Sequence, residues 1–243
     1  GYKTSGINQS PNFSNNSAYQ TEESINTEIG YSISKNKLLL KSSIFYMYRQ
    51  NPQLRLFIQN NIYYPTYFDY ATFNGSTSYI YGFESNISYE FSSIFTFNSS
   101  INILENHLGE FYFDEDGDND DEKFGDRTGS HSPKSSLLFG TKIKISSKVS
   151  MNLDATYKNE FFFDEQNDHK SNSYTLFNSS LIYKKDNISL SIWGKNLTNE
   201  KYPVRGYSFV LEPHTTTDYS DDKQDYKSFG YKRTIGITIQ YNL

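Results

Sequence analysis

Four aspartates two residues apart, Asp114, Asp116, Asp118 and Asp120, are the densest set of potential metal ligands in this sequence. Clustered carboxylates are what a hard cation such as Ca2+ requires. An EF-hand loop also needs Gly at its sixth position and a bidentate Glu at its twelfth. Counted from Asp114, Gly117 falls fourth, so that register fails and only a looser calcium loop stays open. The ordinary reading of such a charge block is a solvated loop. No other cofactor is expected.

A second set is aromatic. Tyr63, Tyr64, Tyr67, Phe68 and Tyr70 crowd one short stretch, and Tyr207 and Phe209 form a smaller set near the C-terminus. Such rings can stack on a planar ligand or a sugar. They can equally pack a tall hairpin or form an interfacial belt. His107, His131, His169 and His214 are scattered singly, without close metal-ligand spacing. Of these, His214 lies nearest the Tyr207–Phe209 set and joins it as a candidate contact. Catalysis needs a nucleophile beside a base. The nearest approach is Ser130-His131, but adjacent residues seldom face each other, so no enzyme is expected.

The elements that carry these residues alternate with period two. In the last stretch Ile235, Ile237, Ile239, Tyr241 and Leu243 oppose Gly236, Thr238, Gln240 and Asn242. Strand side chains alternate faces, so this strand has one greasy and one polar side. The pattern recurs at about 22–34, from Leu38 through Tyr48, at 77–91, and from Phe95 to Ile103. It recurs again at Leu137–Ile145, Val149–Tyr157, Phe177–Tyr183 and Ile188–Ile192. Short turns fall at 34–37, 92–93, 146–148 and 184–187. Between them run long connections at 51–73, 106–133, 164–171 and 196–229. Residues 1–20 also read as loop.

Composition supports an unusual solvent. Only 35% of residues are hydrophobic and mean hydropathy is -0.71, yet the chain holds 22 Tyr and 19 Phe. Disordered chains lack aromatics. A membrane barrel with a polar interior, an apolar outer band and aromatic girdles accounts for both facts. No run approaches the ~20 apolar residues of a membrane helix. With no Cys, a disulfide framework and a thiolate metal site are both excluded. Net charge is -5, but residues 110–126 hold nine acids and one base. Outside that stretch stand 19 acids and 22 bases, with no basic stripe for nucleic acid.

Short periplasmic turns alternating with long extracellular loops give each strand a direction, and the last then runs toward the periplasm. Single-chain bacterial barrels normally close with an even strand number, whereas about nine strands are read here. An unclosed set would leave backbone edges in lipid. The sequence also begins at Gly1 without a signal peptide. The expected fold is therefore all-β, an antiparallel transmembrane β-barrel of which residues 1–243 form the C-terminal part.

Several ordered motifs carry a family resemblance. Asn196-Leu197-Thr198-Asn199-Glu200-Lys201-Tyr202 resembles the "NL-(T/F)-(D/N)-x-x-Y" signature of TonB-dependent outer-membrane receptors. Gly230-Tyr231-Lys232-Arg233 resembles the Gly-x-Pro-Arg element that opens their last strand, with Lys232 in place of Pro. Glu22 to Gly30 is similar to their "PE-x-s-x-n-x-E-x-G" strand, and Phe45-Tyr46 and Gly82-Phe83-Glu84 to their "FY" and "GvE" elements. Leu243 stands where the family usually ends in Phe. The resemblance spans residues 20–243 and implies roughly the last nine strands of a ~22-stranded barrel. A plug domain and TonB box would lie upstream.

That resemblance implies an outer-membrane receptor for active uptake of a scarce nutrient, foremost a ferric siderophore, energised through the TonB complex. Its implied partners are outer-membrane lipid, TonB and a small-molecule ligand, with the barrel monomeric. Two other readings stay open: a passive porin-like or structural barrel, and a soluble extracellular β-sandwich binding domain.

Overall fold

The structure, a computed structural model, describes residues 1–9, 18–59, 68–113, 121–209 and 224–242. Nine long strands form one antiparallel wall. They are β1 (Glu22–Lys35), β2 (Leu38–Gln50), β3 (Ser78–Glu90) and β4 (Phe95–Leu108). Next come β5 (Ser135–Lys144), β6 (Val149–Lys158), β7 (Tyr174–Lys185), β8 (Ile188–Lys195) and β9 (Thr234–Tyr241). Each pairs with its neighbours in the chain, so the wall is a meander. Two of its turns are only two residues long, and Asn36 (φ 52°) and Asp186 (φ 50°) each supply the left-handed position there. Asn and Asp tolerate that conformation better than most residues.

Register settles which side chains share a face. Ile29 pairs with Ile44, Ile44 with Phe83, and Phe83 with Ile103. Farther along, Phe139 pairs with Ala155, Leu181 with Ile192, and Ile192 with Ile237. The apolar stripes thus merge into one continuous surface. That surface is bare: Ile239 is 73% exposed and Ile29 69%. No soluble sheet leaves so large an apolar face open to water. A sandwich needs a second sheet packed over this face, and the remaining sheets among the described residues are two-stranded ribbons. Hydrocarbon is the solvent that fits.

Aromatic rows bound the aliphatic band at both ends. Toward the long loops Tyr48 pairs with Tyr79 and Tyr46 with Tyr81. Toward the short turns stand Tyr89, Phe91, Tyr183 and Tyr241, with the Phe91 ring edge-on to Tyr89 at 4.6 Å. The opposite face carries Glu28, Lys41, Glu84, Asn98, Lys142 and Asp154, as the alternation requires. Trp193 and Phe45 cross to this polar side, each over a glycine. Trp193 lies over Gly236. Phe45 lies over Gly82, its register partner, where a side-chain carbon would sit 2.8 Å from the ring.

Several boundaries differ from the sequence reading. Strand β4 runs on to Leu108 and β7 begins at Tyr174. Their outer ends rise above the lipid band, where Glu105 and His107 take outward positions and the apolar alternation stops. Gly230 to Arg233 precedes β9 without joining it. Beyond Ser24 the outer edge of β1 has no strand partner among the described residues, and neither has the outer edge of β9. The molecule is a partial barrel.

Candidate ligand-binding crown

All long connections leave the same end of the wall, so their residues meet above it. The β2–β3 connection folds into a ribbon, Gln53–Gln59 against Phe68–Asn74. The β4–β5 connection forms a shorter one, Phe111–Phe113 against Glu122–Phe124. The two ribbons share a small dry core of Leu54, Leu56, Ala71, Leu108, Phe111 and Phe113. The β8–β9 connection forms a third ribbon, Pro203–Phe209 against Gln224–Phe229. The buried core therefore sits in the loops, while the wall relies on lipid.

Carboxamides seal the free edges of the first ribbon. Phe57 N donates to Gln166 Oε1 at 2.9 Å, and Gln166 Nε2 donates to Phe57 O at 2.8 Å. Across the ribbon Asn8 repeats the arrangement on Thr72, with both bonds at 2.8 Å. Each side chain stands in for a further strand, which protects an exposed edge.

Arg127 gathers the β6–β7 loop. Its Nη1 donates to Asp168 at 2.7 Å and to Asn167 O, its Nη2 donates to Asp164 O, and the guanidinium lies 4.2 Å from the Phe162 ring centre. Phe161 and Phe163 meet edge to face at 5.6 Å, and His169 packs against Phe163 at 4.9 Å. The His169 imidazole is buried with both nitrogens unbonded; the nearest acid is Asp225 of the third ribbon, 3.4 Å from Nδ1. Burial holds its pKa below the usual histidine value, against the pull of Asp225. At the rim Lys123 pairs with Glu110 at 2.6 Å and keeps that carboxyl below its ordinary range.

On the other side of the first ribbon, aromatic rings run in a line. Tyr70 lies 6.2 Å from Phe57, Phe57 lies 5.8 Å from Phe68, and Phe68 meets Phe209 edge-on at 5.5 Å. Phe209 then stacks on Tyr226 at 4.5 Å. Arg55 holds its guanidinium 4.6 Å above the exposed Tyr70 ring, and Tyr207 stands exposed opposite Tyr226. The structure therefore joins Phe68, Tyr70, Phe209 and, through Tyr226, Tyr207 into one aromatic strip with a cation at one end. Such a strip can stack on planar groups and attract an anion.

Sequence reasoning missed Arg55, Phe57 and Tyr226. Hairpin register would have found two of them, since Phe57 pairs with Tyr70 and Tyr226 with Tyr207. Tyr63, Tyr64, Tyr67 and His214 lie outside the described residues, as do Asp114, Asp116, Asp118 and Asp120. Among the described residues no three His, Asp or Glu gather as a metal site. Ser130 donates its hydroxyl to Glu165 at 2.7 Å, while the His131 ring packs against Phe161 at 5.3 Å. The two point to different partners.

The Asn196–Tyr202 motif has a structural task. Asn196 is buried; its Nδ2 donates to Glu200 O and Tyr231 O, and its Oδ1 accepts from Glu200 N. Asn199 Oδ1 accepts from Arg233 N at 3.0 Å. These bonds fasten the end of β8 to the approach of β9. Asn196 and Asn199 both take positive φ, which suits asparagine.

Comparison with known proteins places this arrangement. Residues 1–197 match the family described as TonB dependent receptor-like, beta-barrel. The sequence has no match among curated proteins. The fold is similar to the ferric yersiniabactin uptake receptor FyuA from Yersinia pestis, with a TM-score of 0.73 and 19% identity. That match covers 99% of this chain and 33% of the receptor. The siderophore receptor PiuA from Acinetobacter baumannii gives 0.65 at 19% identity, over 92% of this chain and 29% of that one. The copper transporter OprC gives 0.67 at 14% identity, over 91% and 32%. The chain thus spans about a third of the length of these structures.

Proposed function

This chain belongs to the TonB-dependent receptor-like β-barrel family, and on that premise we propose that it forms the C-terminal wall and outer loops of a bacterial outer-membrane receptor. The receptor captures a scarce nutrient, foremost a ferric siderophore, and imports it with energy delivered through TonB to an upstream plug domain. Residues 1–243 supply barrel and ligand-facing crown; the energy-coupling parts belong to the rest of the protein.

The observation that carries this reading is the strip from Arg55 and Tyr70 to Phe209 and Tyr226. It combines ring faces with one guanidinium, a chemistry suited to a planar anionic chelate. The polar face of the wall supports the same reading. Glu28, Lys41, Glu84 and Asn86 line a shallow basin there, available to a plug or to channel water. The siderophore receptors and the copper transporter among the similar structures favour a metal chelate as cargo.

Uptake of radiolabelled ferric chelates by cells carrying or lacking the complete receptor is the test. The expected result is a chelate whose uptake requires the receptor and collapses when TonB is deleted. Arg55→Ala with Tyr70→Ala should weaken binding of that chelate by about 10–100-fold, which is ~1.5–3 kcal/mol. Uptake that persists without TonB would instead indicate a passive pore.

A further inference from the structure

The six Lys or Arg ion pairs found among the described residues all lie toward the long-loop end of the wall. They include Lys3–Glu22, Arg127–Asp168, Lys134–Glu105 and Lys170–Glu160. The opposite rim is different. Lys35 and Lys37 flank the first short turn, Lys144 and Lys148 the third, and Lys184 and Lys185 the fourth; all six are exposed. None has a carboxylate partner within ion-pair distance among the described residues. The acids at this level are Glu90 and Asp186. A chain of net charge -5 thus presents a basic rim.

The lysines are also placed against one another. Lys184 N donates to Lys148 O at 2.8 Å, so these two residues stand opposite at the end of the β6–β7 ladder. Like charges opposite each other on a sheet repel. Lys148 and Lys184 continue the polar face, since Val149 and Tyr183 beside them hold the apolar one, and an anion drawn to the rim relieves that repulsion. Lys35 and Lys185 continue the apolar face, because Lys35 pairs with Leu38 and Lys185 with Ile188. Above the rim, on that face, Phe95, Phe97, Phe139, Leu153 and Phe177 enclose an apolar groove floored by Ala155. Phe95 in its lining is the first residue of β4, so the groove opens beside the rim. A molecule with an anionic head and a hydrocarbon tail meets charge where the apolar face ends, at Lys35 and Lys185.

We propose that this rim is a docking surface for anionic phospholipid, with the phosphate drawn to the turn lysines, Lys35 and Lys185 foremost, and the acyl chains lying along the apolar face above them. The proposal rests on the membrane-spanning reading above, since that reading puts the short turns at headgroup depth. Lysine stems reach along apolar surface while their ammonium groups stay at the polar boundary.

Spin-labelled phosphatidylglycerol and phosphatidylcholine, each in phosphatidylcholine vesicles holding the complete receptor, provide the test. The motionally restricted fraction of each label is read by electron paramagnetic resonance. A preference of ~3-fold or more for the anionic label is expected, falling toward unity in high salt. Combining Lys35→Gln, Lys37→Gln, Lys148→Gln, Lys184→Gln and Lys185→Gln should abolish the preference, and the matching Arg set should keep it. Heat-modifiable gel migration verifies that each variant is folded. Equal restriction of the two labels, or a preference unchanged in the Gln set, overturns the proposal. Loss of the preference on adding inorganic phosphate at constant ionic strength overturns it in favour of a soluble-anion site. No restricted lipid with either label would sink the membrane reading itself, a distinct outcome that takes this proposal with it.

Discussion

The Phe163 ring lies against Gly206, so close that any side-chain carbon at position 206 would overlap it. The contact joins the β6–β7 loop to the β8–β9 ribbon. Gly206→Leu should therefore separate the two by overpacking, at a cost of about 1–3 kcal/mol. Hydrogen exchange in 161–171 and 203–209 should rise ~10-fold or more while wall strands stay protected. Unchanged exchange in both segments would show that the contact does not hold the crown together.

Asn196→Ala removes a buried carboxamide that makes three side-chain hydrogen bonds. Leaving Glu200 and Tyr231 backbone groups without partners should cost about 2–3 kcal/mol. The effect should appear as a lower temperature for loss of heat-modifiable migration, with spin labels on the last turn of β8 becoming mobile. A variant as stable as the parent would mean that the motif is not the fastening described.

Acid should loosen the crown at His169. Burial keeps the folded pKa below the unfolded value of about 6.5, although Asp225 and Asp164 pull it up while Lys227 pushes it down. A depressed pKa means the neutral form is the stabilising one. Its contribution is intact above about pH 6.5 and is lost as pH falls through the folded pKa, because the opened loop takes up the proton first. Exchange protection of 161–171, corrected for intrinsic rates, should drop between pH 7.5 and pH 5, and His169→Gln should flatten the response. Protection that increases on acidification would show that attraction to Asp225 outweighs burial.

The two faces of β9 should report different solvents. Spin labels at Ile237 and Ile239 should collide with oxygen dissolved in hydrocarbon, and labels at Thr238 and Gln240 with a polar nickel reagent. Nickel accessibility at all four positions would remove lipid from the apolar face.

The nine wall strands were legible in the sequence because each has two chemically distinct faces. A one-residue shift would turn polar side chains such as Glu84, Lys142 or Gln240 into lipid. The ribbons at 53–74 and 203–229 were read as loop or undivided hairpin, since alternation over so few residues resembles an aromatic-rich connection. Aromatic type alone pointed to Phe68, Tyr70 and Phe209. Their assembly did not show, because Phe68 and Phe209 are far apart in the chain and meet only through two ribbons. Gln166 on Phe57 and Asp225 beside His169 were equally hidden. A carboxamide that mimics a strand has no local sequence signature.

The meander has a kinetic meaning. Every long strand finds its partner across the next connection, so the wall can grow hairpin by hairpin in the order of synthesis. Loop-closure entropy is met in small instalments, and no segment must wait for a distant mate. Only the two margins lack this convenience, and they are the places where an unfinished intermediate would expose bare amides to the bilayer or to a chaperone.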